Sequence, residues 1–570
     1  MTVKSETISN KEIARAFKLA AALLELHDDN PFKARSLQNA AFKVERLTTP
    51  LSEMQEEEIA RLDGIGKGIQ GKIKEYLDHS SFEELDILLE KTPPGVVQML
   101  AIKGIGPKKV KVLWNELGLE SPGELLYACN ENRLVELKGF GTKTQDLIIK
   151  SIEYSRSNEG KFLYANIEII AQQLEKDFKQ SGLISEISFT GALRRRCEIL
   201  EELEFVLSIP DLKAFLKFLE DHPLIDDGSV KSAGNRIESM VAGKLPLHIY
   251  RADDNNFYST LFLTTAGEDH LQILKEKYAL TDIGSAKSEE EIYTSLKLPF
   301  IEPELREGIF EFELAAKGAM PVLLELKDLK GILHNHSTYS DGEHSLEVMA
   351  KYCKELGYEY LGICDHSKSA FYANGLQPER IIMQHAEIEK LNASLAPFKI
   401  FKGIESDILI DGSLDYPPDI LKTFDFIVAS VHSSLRMDKE KATKRLITAI
   451  ENPFTTILGH PTGRLLLARE GYPIDHKKVI DACAANGVIL ELNANPYRLD
   501  IDWRHIQYAI SKNVMLSINP DAHRKEGYHD MYYGVCTARK GALTKNMTFN
   551  ALSRDEVSDF FLKRSALRNK

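Results

Sequence analysis

Histidines and carboxylates recur through the C-terminal half of the chain at spacings that suit metal binding. His334-Asn335-His336 comes first. On an extended strand, a two-residue spacing sets both imidazoles on one face, within reach of one ion. Ser340-Asp341-Gly342, Cys364-Asp365-His366, Gly403-Ile404-Glu405, Ser430-Val431-His432, Gly459-His460-Pro461 and Pro520-Asp521-Ala522-His523 follow. Each group alone is weak, because a strand-end histidine such as His460 is more often structural. Together they mix imidazole and carboxylate donors, which suits Mn2+, Zn2+ or Fe2+ better than Mg2+ alone. His344, His385 and His476 lack such placement and are read as structural. Six scattered cysteines without Cys-x-x-Cys spacing argue against a disulfide framework and against a thiolate zinc site.

These groups need elements that bring them together. They close short apolar strands (YLGICDH, FKIFKGIESDIL, FDFIVASVH, TTILGHP, VILELNA and VMLSINPDAH) separated by amphipathic helical stretches. Repeated strand–helix units predict a parallel sheet, closed or nearly closed into a barrel, whose C-terminal strand ends gather at one rim. Upstream, residues 301–331 are rich in Glu and Pro and read as a connector. Before that, ISEISFTGAL, LEFVLSI and KLPLHIYRA alternate as strands do, with helices between them. Roughly the first 155 residues read as helices joined by short Gly turns.

Those turns form a near-repeat: LDGIGKGIQGKI, IKGIGPKKVKVL and LKGFGTKTQDLI. The glycine pairs are Gly64 and Gly66, Gly104 and Gly106, and Gly139 and Gly141; Lys67, Lys108, Lys109 and Lys143 follow them. The glycines permit a tight turn and a close backbone approach. The helix that follows offers free N–H groups, a ready anion site. One such turn is an ordinary helix end. Three, each followed by lysine, resemble the helix–hairpin–helix motif, which grips DNA phosphates without reading sequence. Phe140 makes the third copy the least regular.

Beyond the hairpins lies GALRRRCEILEELEFVL, residues 191–207. Hairpin repeats followed by Gly-Ser-x-Arg-Arg and then by Asp-x-Asp on a strand resemble the family X DNA polymerases. The bacterial members carry a C-terminal domain of the polymerase and histidinol phosphatase (PHP) type. The resemblance covers essentially the whole chain, including PELREG at residues 303–308, which is similar to the family's thumb-to-linker segment. It implies a multidomain fold: a lyase-like helix–hairpin–helix domain over 1–88, fingers with such motifs over 89–158, an α+β nucleotidyltransferase-like palm over 159–235, a thumb over 236–316, a linker over 317–330 and an α/β PHP barrel over 331–570. It also implies that His334, His336, Asp341, His366, Glu405, His432, His460, Asp521 and His523 are metal ligands, with Glu405 bridging. Nine ligands are too many for one or two tetrahedral ions and suit three. Asp365 is a candidate to orient a neighbouring imidazole.

The sequence departs from the polymerase pattern where that chemistry sits. Ala192 stands for the family's Ser, Glu202 and Glu204 stand for the paired aspartates, and the third aspartate falls at or near Pro246. Leu263-Thr264-Thr265-Ala266 replaces the nucleotide-binding Phe-Thr-Gly-Ser. Two-metal transfer needs carboxylates that hold ions about 3.5–4 Å apart. Each Glu adds a methylene and proline offers no ligand, so magnesium at the palm is disfavoured and synthesis is expected to be lost or weak. Arg194 and Arg195 remain as phosphate-binding candidates. Lyase chemistry would need a lysine of lowered pKa, and Lys43, Lys67 and Lys72 are equal candidates.

The resemblance thus implies a DNA repair enzyme whose PHP domain removes nucleotides or blocking phosphates from 3′ ends, with possible cutting at abasic sites. Expected partners are gapped, nicked or 3′-recessed DNA, bound without sequence preference. A proofreading gap-filling polymerase, a small-molecule phosphatase of the histidinol phosphatase type and a non-catalytic DNA scaffold are the alternatives. The net charge of −13 decides nothing, because a whole-chain sum hides a local basic face. There is no apolar run of about 20 residues, and the first residues lack an apolar signal core. A monomeric cytoplasmic protein is expected.

Overall fold

A computed structural model describes residues 8–568 apart from residues 48, 63, 64, 103, 135, 136, 138, 157–159, 282 and 319, so Gly64 lies outside the described residues. The chain forms two compact units, Met1–Tyr154 and Ser155–Lys570. No helix among the described residues is long and apolar enough to cross a membrane.

The first unit is helical. Its opening helix, Asn10–Leu26, starts in a capping box between Ser9 and Glu12 and buries Ile13, Phe17, Ala20, Ala21 and Leu24 at helical spacing. In each hairpin the apolar residue between the glycines is buried: Ile65, Ile105 and Phe140. Each then runs into a helix: Lys67–His79, Pro107–Leu117 and Thr142–Arg156.

The second unit contains two sheets that matter here. A short pair, β1 (Phe162–Leu163) with β3 (Ile199–Leu200), lies beside the first of them. That first sheet has five strands in the order β2 (Glu186–Phe189), β4 (Leu203–Ser208), β7 (Leu245–Ala252), β6 (Arg236–Val241) and β5 (Lys231–Ala233). Only β4 and β7 run parallel. The boundary expected after residue 235 therefore falls inside this sheet. Helical segments follow, and the stretch read as a connector is packed among them. Glu304, Arg306 and Glu311 are buried, with Arg306 donating to the Ile301 carbonyl and paired with Glu289. Its Glu-rich composition misled because Glu304 is paired with Arg196 and Arg539, and Glu311 accepts from His270 and the Gly308 and Ile309 N–H groups, rather than being solvated.

The other sheet is the barrel. β8 (Gly331–Ile332), β9 (Tyr360–Ile363), β10 (Lys399–Asp407), β11 (Phe426–Ser430), β12 (Ile457–Leu458), β13 (Ile489–Asn493) and β14 (Leu516–Asn519) are parallel, each beside its sequence neighbours. Asn335 bridges Ala522, with His336 N–H donating to the Ala522 carbonyl at 2.9 Å, so the two edges meet and nearly close the barrel. Alternate strand residues face inward. Leu333, Tyr360, Phe401, Phe426 and Ile489 fill the floor with Phe561 of the helix Arg554–Arg568, whose ring stacks on Phe426 at 5.0 Å. A Cβ on Gly362 or Gly403 would come within 2.5 Å of the Phe426 ring, so glycine at both positions admits that side chain. Further along, the same inward phase turns polar: Phe401 and Gly403 give way to Glu405 and Asp407.

Candidate metal centre and the flanking sites

Glu405 sits at the centre of the barrel mouth, fully buried. Its Oε1 lies 3.2 Å from His334 Nε2, 3.1 Å from His432 Nε2 and 3.0 Å from His460 Nε2. Its Oε2 lies 2.9 Å from His366 Nδ1 and 3.6 Å from His336 Nε2. Asp521 Oδ1 lies 2.9 Å from His336 Nε2 and 3.4 Å from His334 Nε2. Asp341 approaches His523 at 3.3 Å and His366 at 3.6 Å. All nine sequence-selected residues thus converge. His334 and His336 do so from beyond the end of β8, where the chain follows the closing bridge to Ala522.

Three overlapping sets among the described residues of this unit bring their ligand atoms within 4.8 Å of one another: His336, Asp341, His366 and His523; His334, His336, Glu405 and Asp521; His366, Glu405 and His432. The donor chemistry fits divalent cations. Among the described residues, buried His334 Nε2, His336 Nδ1, both ring nitrogens of His366, Glu405 Oε2 and His460 Nδ1 have no hydrogen-bond partner of sound geometry. Buried polar atoms are rarely left so, and imidazoles and carboxylates gathered in this way suit divalent metal ions. Burial, with the neighbouring His523 and His366, holds His336 down to about 3, whereas the carboxylates around His334 and His432 outweigh burial and raise both. Burial also opposes charge on Glu405, but His432, His334 and His366 outweigh it and keep the carboxyl well below its usual range.

Several residues that sequence reasoning passed over support this cluster. Glu491 on β13 takes His334 Nδ1 at 2.8 Å, the His460 N–H at 2.7 Å and the Asn519 amide at 3.1 Å. Asp407 on β10 takes His432 Nδ1 at 2.5 Å and the Ser369 hydroxyl at 2.7 Å. Both lie in the inward phase of their strands, and that phase was the available signal. Asp365 does not orient an imidazole. It accepts from the backbone N–H and hydroxyl of Ser337, from both groups of Ser340 and from Gln384, which fixes the loop carrying Asp341. Arg464, after the Gly-His-Pro turn, is bound to Asp502 at 2.7 Å and to the Arg498 carbonyl.

On the five-stranded sheet, Glu202 and Glu204 flank Leu203, and the parallel register sets Glu204 opposite His248. His248 Nδ1 lies 2.6 Å from Glu202 Oε2. The side chain that meets Glu202 is therefore that of His248, close to Pro246 in the same strand. Pro246 sits one step down the same face, across from Met240. Glu204 is buried, accepts from Tyr250 at 3.1 Å and lies against Gly191, where a Cβ would meet its Oε2 at 1.5 Å. Burial and the Glu202 charge raise its pKa. Arg194 and Arg195 do not offer free guanidinium groups. Arg194 contacts Glu289 at 2.5 Å and the Thr265 hydroxyl at 2.9 Å, and Arg195 contacts Glu307 at 3.0 Å and the Thr265 carbonyl at 2.7 Å. Thr264 and Thr265 both reach the Thr190 hydroxyl, so the helix Phe257–Thr265 is tied to the segment that opens at Thr190.

In the first unit, Lys67, Lys108 and Lys143 are exposed, while Lys109 packs over the Phe140 ring at 5.4 Å. Gly66 and Gly106 precede helices whose first turns carry no side-chain cap, leaving N–H groups for a ligand. Gly104 and Gly139 take φ of 98° and 90°, which favours glycine. Gly141 directly precedes Thr142–Arg156. Lys72 is paired with Glu84 at 2.9 Å.

Helical hairpins, a small mixed sheet and a nearly closed barrel holding a buried histidine–carboxylate cluster define a multidomain protein of the hairpin-plus-PHP class. Family models agree: a helix-hairpin-helix domain matches residues 8–82, a SAM-like helix-hairpin-helix tandem 96–153 and a PHP domain 333–495. The chain is 36% identical over 573 residues to the DNA polymerase/3′-5′ exonuclease PolX of Bacillus subtilis (strain 168), covering 97% of this chain and 99% of that protein. It belongs to the PolX family. A probable phosphatase of Caldanaerobacter subterraneus subsp. tengcongensis is 27% identical over 30% of this chain and 65% of its own length. One of Thermoanaerobacter sp. (strain X514) is 32% identical over 25% of this chain and 61% of its own length.

Proposed function

We propose that this chain binds DNA through its hairpins and hydrolyses phosphodiesters or blocking phosphates at 3′ ends in the barrel mouth, as a 3′–5′ exonuclease that also accepts abasic sites. The observation that carries this is the buried convergence of nine imidazole and carboxylate groups, several of them orphaned, in a chain that also holds three hairpins. The relative from Bacillus subtilis is named for 3′–5′ exonuclease activity. The hairpins favour DNA over a small phosphate ester, which has no use for them.

His334, His336, Asp341, His366, Glu405, His432, His460, Asp521 and His523 would hold the ions, three in number because the three donor sets overlap at His336, His366 and Glu405. Manganese, zinc or iron suits these donors. Such ions supply the Lewis acidity that phosphoester hydrolysis needs near neutral pH. The chain's own part is to fix the imidazoles: Glu491 and Asp407 hold the far nitrogens of His334 and His432.

The same relative is also named as a polymerase. Against synthesis here stand Glu202 paired with His248, Glu204 turned into the space beside Gly191, and Arg194 committed to Glu289 and Thr265. The sheet then serves to hold DNA rather than extend it. Gapped, nicked or 3′-recessed ends are the proposed substrates, and a monomer in the cytoplasm is the proposed form.

A labelled primer-template incubated with Mn2+ tests the reading. Wild type should shorten the primer from its 3′ end, and His334→Ala with His336→Ala should abolish shortening. No shortening by wild type, or equal shortening by both, refutes the nuclease. Templated synthesis on gapped DNA that is lost with Glu202→Ala and Glu204→Ala refutes the inactive sheet.

A further inference from the structure

The loop that follows β9 lies beside the cluster and is held unusually firmly for a surface loop. Ser367 N–H donates to the Glu405 carbonyl at 3.0 Å, and Leu376 N–H returns to the His366 carbonyl at 2.9 Å. Ser369 donates its N–H to Asp415 and its hydroxyl to Asp407, the carboxylate that also holds His432. Lys368 N–H donates to the Tyr416 hydroxyl at 3.1 Å. Within the loop, Ala370 and Ala373 are buried, yet Phe371 is 78% exposed. The Tyr372 ring lies 6.4 Å from the His366 ring, and the Phe371 ring lies 6.0 Å from that of Tyr372.

A single exposed aromatic residue is ordinary on a protein surface. This one is carried on a loop hydrogen-bonded at both ends to two residues of the cluster, two ring steps from His366. We infer that Phe371 is a stacking platform for the nucleobase at the 3′ end of the DNA strand being hydrolysed. This rests on the nuclease reading and gives it a substrate contact. A nucleotide held with its phosphate among the imidazoles would extend its base away from them, and Phe371, joined to His366 through the Tyr372 ring, is a solvent-facing ring within that neighbourhood. Stacking on an aromatic face accepts every base, in keeping with the sequence-independent grip of the hairpins. Because the loop is already ordered by its hydrogen bonds, little conformational freedom is lost when a base docks. A small phosphate monoester without a base would gain nothing from Phe371, which makes the residue a specificity determinant between the two substrate classes.

The test compares single strands ending in a normal nucleotide with strands whose last residue is an abasic tetrahydrofuran, using the full chain with Mn2+. Phe371→Ala should lower kcat/KM on the normal end by roughly 5- to 150-fold, the span of base–aromatic stacking. On the abasic end, wild type and variant should differ by less than about two-fold, since the partner base is already gone. Phe371→Trp should retain the normal-end rate. A second readout needs no hydrolysis: with EDTA present, 2-aminopurine at the 3′ terminus should be quenched on binding wild type and not on binding Phe371→Ala. An equal loss on both ends, no loss on the normal end, or equal quenching overturns the inference. Wild type that degrades neither end refutes the nuclease instead, and the 2-aminopurine signal then still decides whether the base stacks.

Discussion

Glu491 makes the clearest residue-scale case. Its two oxygens take His334 Nδ1, the His460 N–H and the Asn519 amide, so one buried carboxylate aligns two of the proposed ligands. Removing such a supporting carboxylate costs about 10–100-fold in metal affinity in comparable sites. Glu491→Ala should therefore weaken Mn2+ or Zn2+ binding by about that factor, measured by competition with a chromogenic chelator. Unchanged affinity in a folded variant would reduce Glu491 to a packing role. The candidate ligands themselves were legible in the sequence, because imidazoles and carboxylates at the ends of apolar strands have few other reasons to be there. Glu491 and Asp407 were passed over, since their one signal is the inward phase of their strands, which marks a direction and not a role. His248 escaped notice for another reason: it faces Glu204 only through the parallel register of β4 and β7, and register is not written in either strand alone.

At the scale of elements, the hairpins and the barrel were both readable, the first from a repeat and the second from strand–helix alternation. The connector was misread because Glu and Pro in sequence signal solvent, whereas Glu304 is buried between Arg196 and Arg539. The hairpins carry a graded expectation. Lys67, Lys108 and Lys143 are exposed beside helix N-termini, while Lys109 is committed to Phe140. Each of Lys67→Ala, Lys108→Ala and Lys143→Ala should weaken binding about equally on unrelated sequences. Each should also reduce the slope of log K against log salt by about 1, as one phosphate contact does. Lys109→Ala should leave that slope nearly unchanged. Fluorescence anisotropy of labelled duplexes across a salt series measures both. Slopes insensitive to all four lysines would remove the hairpins from the DNA interface.

At the scale of the second unit, three consecutive arginines set the arrangement. Arg194 meets Glu289, Arg195 meets Glu307 and Arg196 meets Glu304. Arg306 joins Glu289, Lys540 joins Glu307, and Arg539 joins Glu304 at 2.7 Å. The five-stranded sheet, the helical segment and the barrel domain are thereby pinned through mixed charges. Nothing local in the sequence announces such pairs, because each joins residues far apart in the chain. Burial alone would raise all three carboxyls, yet the facing cations outweigh it and leave Glu289, Glu304 and Glu307 below the ordinary value of 4.5. A depressed carboxyl contributes stability that is full above its unfolded pKa and is lost as pH falls through the folded one. The unit should therefore hold constant stability from neutral pH down to about 4.5 on this account, and lose it progressively below. Glu307→Gln should be destabilised at pH 7 by about 3–5 kcal/mol, because it leaves the buried Lys540 ammonium without its counter-charge. Its stability should also fall less steeply below pH 4.5 than that of wild type. Urea unfolding across pH 3–8 measures both. Parallel curves for wild type and variant would mean that Glu307 is already neutral in the folded protein and that shape rather than charge holds the barrel to the sheet.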